Sequence, residues 1–187
     1  MKRTVILLCT FIALRQTLHA QTTYSFPSSN MWKIEKANFP LSFAPSINYK
    51  GTDEIRFMPN FENAQANTYF SYCFVWLLDG DVKFTPDEIT NDFKKYYNGL
   101  CKLDDGTTVT VKKATAAAKY QQAFSYVIQT TDNLYTRLHI TLNGAVQIAK
   151  CNGGKNTIAF FEISPKAASD SVWKELDAVR DGMTWGK

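Results

Sequence analysis

The chain is poor in histidine. Two occur among its 187 residues, His19 and His139, and neither belongs to a His-Glu-x-x-His or Cys-x-x-Cys arrangement. Zinc hydrolase sites draw on two or three imidazoles, so no metal centre of that kind is expected. No Asn-x-Ser/Thr sequon is present, and glycosylation is not implied. Apolar runs are short as well. None reaches the roughly 20 residues that cross about 30 Å of hydrocarbon as a helix. No integral membrane segment and no cofactor site are therefore expected in the mature chain.

The N-terminus carries a different signal. Lys2 and Arg3 precede an apolar run from Val5 to Leu14, then polar Arg15-Gln16-Thr17 and a small residue, Ala20, before Gln21. A positive n-region, an apolar stretch of about ten residues and a small-residue exit are the layout of a secretory signal. The sequence predicts a cleavable signal over 1–20 and an exported domain over 21–187, periplasmic or extracellular. Cleavage would remove Lys2, Arg3, Arg15, Cys9 and His19. The formal charge then falls from +4 to +1, with 18 basic against 17 acidic residues. Nucleic-acid binding needs a clustered basic face that displaces phosphate counterions, and none is evident.

Three cysteines remain: Cys73, Cys101 and Cys151. In an oxidising compartment one disulfide and one free thiol is the simplest accounting. Cys73 lies in a run of aromatics and reads as buried, whereas Cys101 and Cys151 sit at element boundaries. The expected pair is Cys101–Cys151, closing a loop of about 50 residues worth roughly 4 kcal/mol in the chain-entropy model. Cys73–Cys151 is its competitor.

Residues 21–47 read as an extended arm broken by Pro27, Pro40 and Pro45. Glu54 to Met58 reads as a short strand. Tyr69 to Leu78 is apolar on both faces, with Phe70, Tyr72, Phe74, Trp76 and Leu78 against Cys73, Val75 and Leu77. That pattern predicts a central strand covered on both sides. Thr85-Pro86-Asp87-Glu88 is a helix start with a capping box. Ile89, Phe93, Tyr96 and Leu100 follow as one apolar stripe. Strands are expected over 107–114, 122–131 and 157–163. A hairpin is expected where 135–142 meets 145–151 across Asn143-Gly144. A closing helix over 169–182 presents Val172, Leu176, Val179 and Met183. The fold class that results is α+β: an antiparallel sheet of six or seven strands with two helices packed on it. A small β-barrel or sandwich with flanking helices is the alternative.

Each apparent chemical motif has a plainer reading. Gly153-Gly154-Lys155 lacks the spacing of a phosphate loop and joins strands. Asp87 and Glu88 are explained by capping. His139 alternates with Leu138 and Ile140, which places it on a polar, solvent-facing side. Asp53, Glu54 and Arg56 form the nearest thing to a catalytic constellation. Glu54 and Arg56 share a strand face, and an exposed ion pair accounts for them. No catalytic residue is assigned.

Several segments resemble an uncharacterised family of bacterial secreted single-domain proteins. They are Tyr49-Lys50-Gly51 with Glu54-Ile55-Arg56-Phe57, Phe70-Ser71-Tyr72-x-Phe74-x-Trp76, Tyr96-Tyr97-x-Gly99-Leu100-Cys101, and Val172-Trp173-x-x-Leu176-x-x-Val179-Arg180. The resemblance implies export and one domain, and it carries no activity or site residues.

The leading functional expectation is a secreted or periplasmic non-enzymatic protein, a binding or interaction module for a protein or a small apolar or glycan ligand. The aromatic share of 14% supplies material for such a cleft, although most rings are expected in the core. A carboxylate- or thiol-dependent hydrolase and a component of a cell-envelope assembly are the two alternatives.

Overall fold

The computed structural model describes residues 24–186. The expected export signal, with Cys9 and His19, lies outside the described residues.

Thr85 starts the first helix as its sequence predicts. The Thr85 hydroxyl accepts from the Glu88 N–H at 3.2 Å, and the Glu88 carboxylate accepts from the Thr85 N–H at 2.8 Å. This reciprocal pair satisfies two otherwise orphaned donors and opens α1, Pro86–Leu100. Ile89, Phe93, Tyr96 and Tyr97 on its inner face are buried. Each such side chain contributes about 1.5–3 kcal/mol by leaving water.

That face packs on a seven-stranded antiparallel sheet. In chain order its strands are β2 (Lys33–Asn38), β3 (Gly51–Phe57), β4 (Tyr72–Asp79), β5 (Thr108–Ala114), β6 (Gln122–Thr131), β7 (His139–Cys151) and β8 (Asn156–Ser164). Their spatial order is β2-β3-β4-β8-β7-β6-β5. Two meanders, β2–β4 and β5–β8, are thus joined by α1, which carries the chain across one face to the far edge. A second helix, α2 (Val172–Gly182), covers the opposite face over β8. Short strands β1 (Tyr24–Ser25) and β9 (Thr184–Trp185) pair with each other. The sheet is open, with β2 and β5 at its edges, so the α+β arrangement holds and the barrel alternative does not.

Strand β4 explains the two cores. Tyr72, Phe74, Trp76 and Leu78 join the α1-side cluster, while Cys73 and Val75 join the α2-side cluster with Val172, Leu176, Val179 and Met183. The doubly apolar run is indeed central, between β3 and β8.

Three expectations are corrected. Asn143-Gly144 is not a hairpin turn: both residues lie inside the continuous β7, paired with Val127 and Tyr126. Gly144 is there for space. A Cβ would collide with the Tyr126 ring and the Glu162 carbonyl oxygen. The real β6–β7 turn lies earlier, around Asp132. Next, the 21–47 arm is only partly irregular, because Lys33–Asn38 forms the exposed edge strand β2. Its Lys33, Glu35 and Lys36 are the charged type of edge that resists further strand pairing.

Finally, Cys101 and Cys151 are not bonded. All three described cysteines are free, buried thiols. Cys151 belongs to the α2-side cluster, whereas Cys101 follows α1 on the other side, against Thr130 and Asn133. Thr130 pairs with Ile140, and Cys151 lies eleven residues further along β7, roughly 35 Å of strand. The competing partner fares no better. Cys73 aligns through Glu162 with Ala145, six residues and roughly 20 Å short of Cys151.

Candidate functional site

The sheet separates Asp53 from Glu54 and Arg56. Side chains alternate along β3, so Asp53 faces α1 while Glu54 and Arg56 face α2. Glu54 and Arg56 do pair, but not at an exposed surface. Arg56 is buried and stacks over Phe26 at 4.4 Å. Its guanidinium also donates to the Phe26 carbonyl at 3.1 Å and to Glu54. The Tyr24 hydroxyl donates to the other Glu54 oxygen. Burial alone would raise Glu54, but Tyr24, Arg56 and Lys36 together hold its carboxyl below the usual range. The N-terminal segment through Tyr24 and Phe26 makes this pair internal, and no local sequence pattern announces that cover.

Across the same face, Arg56, Cys73 and Glu162 stand in register on β3, β4 and β8. Glu162 is buried, 3.4 Å from Arg180 of α2. Burial pushes its carboxyl up to about 8 despite that arginine. Cys73 is raised well above an ordinary thiol by burial and by Glu162. A protonated, inaccessible thiol is a poor nucleophile, so this row is internal packing chemistry.

His139 is exposed, with Nδ1 3.2 Å from the Thr131 hydroxyl. Cys101 lies against Thr130, the neighbour of Thr131 that points to the opposite side of β6. The sheet therefore keeps the thiol and the imidazole apart. Asp87 and Glu88 serve α1 as a helix start. Among the described residues, no three His, Cys, Asp or Glu side chains are grouped to hold a metal. No described helix is long and apolar enough to cross a membrane.

The feature that stands out is a cleft of about 300 Å³ on the α1 side, over the β2–β3 edge. Its elements position it as follows. The backbone of helix α1 runs nearest β5 and β6, and Tyr96 reaches from it to Asp53 of β3. Ile55 and Phe57 of β3, with Tyr72 of β4 and Tyr96 of α1, form the floor. Phe61, Phe70, Phe43 and Leu100 also line the cleft. Leu134 and Tyr135 stand at the mouth, and Lys33 and Glu35 of β2 form the rim. Phe57 and Phe61 are stacked at 4.3 Å, and Tyr135 meets the edge of Phe61 at 6.0 Å.

Two local devices hold these walls. Gly99 sits in the last turn of α1, where a Cβ would collide with the Phe43 carbonyl. Its bare backbone lets the 41–44 turn close up, seating Phe43 edge-on against Tyr96 at 4.9 Å. The mouth is fixed by Asp132, which is fully buried. Its carboxylate accepts from the N–H groups of Leu134, Tyr135 and Thr136 at 3.0, 3.1 and 2.9 Å. It also accepts from the Thr136 hydroxyl at 2.7 Å and from Tyr69. Burial would raise this group, yet those donors hold it below the usual carboxylate range.

Next to Ile55 on the same face of β3 lies Asp53. Tyr96 donates to its Oδ2 at 3.4 Å, and its Oδ1 has no partner among the described residues. Burial pushes this carboxyl up to about 7. Sequence reasoning missed the cleft because its lining comes from six separate stretches of chain. Aromatic abundance was the only signal for it.

No protein-family model matches the chain, and no curated protein or solved structure matches it either.

Proposed function

We propose that the chain is an exported, non-enzymatic binding protein whose aromatic cleft takes a small ligand with an apolar body. The observation that carries this reading is the composition of the cleft. Seven of its twelve lining residues are aromatic, with few polar groups at the rim, the make-up common to small-molecule sites. Its volume of about 300 Å³ is at the lower end for small-molecule sites, so one ring or a short aliphatic chain fits. Export is supported by the Lys2-Arg3 start and the Val5–Leu14 apolar run, and by the resemblance to secreted proteins.

A thermal-shift panel of short alkyl and aryl compounds, monosaccharides and short peptides tests the binding. An apolar class should raise the melting temperature of the natural chain but not of Tyr135→Ser. No shift with any class would end the reading. Fractionation of expressing cells with N-terminal sequencing tests export, and an intact Met1 on a cytoplasmic product would count against it.

A further inference from the structure

The rim of the cleft already holds a cation. Lys33 Nζ lies 5.7 Å from the Phe57 ring centroid and 5.8 Å from that of Phe61. It is 2.9 Å from Glu35 and 3.8 Å from Glu62. Its side chain is 55% exposed, so packing does not force it there. Ring faces attract ammonium groups through their quadrupoles, and the two carboxylates add to that attraction. A surface ion pair alone is worth little. Here the pair stands over two stacked rings at the entrance of an apolar cleft.

The charge balance has a sign. Two carboxylates surround one ammonium, and Asp132 lies behind the mouth. At Tyr135, Glu62, Asp132 and Glu35 all act in the same direction, adding to the burial that pushes its hydroxyl up to about 12. An incoming anion would meet a lysine already neutralised and a net negative surround. An incoming cation would meet what Lys33 meets now.

Resting on the cleft being a binding site, we propose that its ligand is a small organic cation. Its apolar body enters the cleft, and its ammonium group sits over Phe57 and Phe61 between Glu35 and Glu62, displacing Lys33 toward solvent. Lys33 is then an internal stand-in for the ligand and a competitor with it.

Isothermal titration with three six-carbon probes tests this: hexyltrimethylammonium, hexanol and hexanoate. The cation should bind best and hexanoate worst, with about tenfold or more between them. Lys33→Thr should tighten the cation by about threefold or more, since the competitor is gone. Glu35→Gln combined with Glu62→Gln should bring the cation to within about twofold of hexanol. All three positions are on the surface, and circular dichroism would verify folding. Hexanol binding as tightly as the cation, hexanoate binding best, or Lys33→Thr weakening the cation would overturn the charge preference and leave the cleft standing. No binding by any probe would overturn both.

Discussion

Tyr126 lies flat across Gly144. The two residues are direct partners in the β6–β7 ladder, and the tyrosine hydroxyl reaches over to donate to the Glu162 carbonyl at 2.9 Å. The ring occupies the space where any side chain at 144 would stand. Gly144→Ala should therefore destabilise the protein by about 1–3 kcal/mol, the usual cost of overpacking a tight core. Denaturant titration would show it, and an unchanged midpoint would mean that the sheet can relax around the methyl group.

Stability should depend on pH in an uncommon direction. Glu162 and Asp53 have folded pKa values near 8 and 7, raised by burial above the ordinary carboxyl range. Between their unfolded and folded values the native state binds more protons than the unfolded chain. The unfolding free energy then falls as pH rises, by at most about 1.4 kcal/mol per unit for each group. The protein should be more stable near pH 5 than near pH 8.5, and Glu162→Gln should flatten the decline. The groups facing Glu162 are Arg180, Asp177 and Asp181 of α2, and Cys73, which is protonated throughout this range. A steady rise in stability from pH 5 to 8.5 would refute the assignment.

Asp132 should matter to binding without touching a ligand. Asp132→Ala strips acceptors from three backbone N–H groups and two hydroxyls. The expected loss is about 3 kcal/mol of stability, with weaker uptake of any cleft ligand because Leu134 and Tyr135 are no longer held at the mouth. Its native contribution is present above the unfolded pKa and is lost as pH falls through the lower folded one. Retained affinity in this variant would show that the mouth is held by packing alone.

The thiols should be silent in the folded protein. Burial raises Cys73, Cys101 and Cys151 alike. In the chain without residues 1–20, a thiol reagent should find almost nothing at neutral pH and three groups, Cys73, Cys101 and Cys151, in denaturant. A mass two units short of the fully reduced chain would instead reveal a disulfide.

What the sequence could and could not disclose follows from the range of each signal. Thr85-Pro86-Asp87-Glu88 is local: cap, first turn and dipole are all written within four residues, and α1 forms as they require. The two-faced run through Phe74 and Trp76 likewise states its own position, since only a strand covered on both sides tolerates it. Asn143-Gly144 misleads because glycine has two uses, and a need for space is invisible until Tyr126 is known to be its neighbour. Cys101 and Cys151 mislead for a related reason: boundary positions say nothing about which side of the sheet a boundary faces. The cleft is furthest from view, because Lys33, Phe57, Phe61 and Tyr135 meet only through the strand order.

The pairing of Tyr24 with Trp185 and of Ser25 with Thr184 has a practical consequence. Tyr24 and Trp185 both pack against the α2-side cluster, while the cleft opens on the α1 side. Anchoring the molecule by either of these strands, through a fusion, a tag or a chip linkage, would hold it by its back. The aromatic mouth would then point outward, unobstructed, toward whatever flows past.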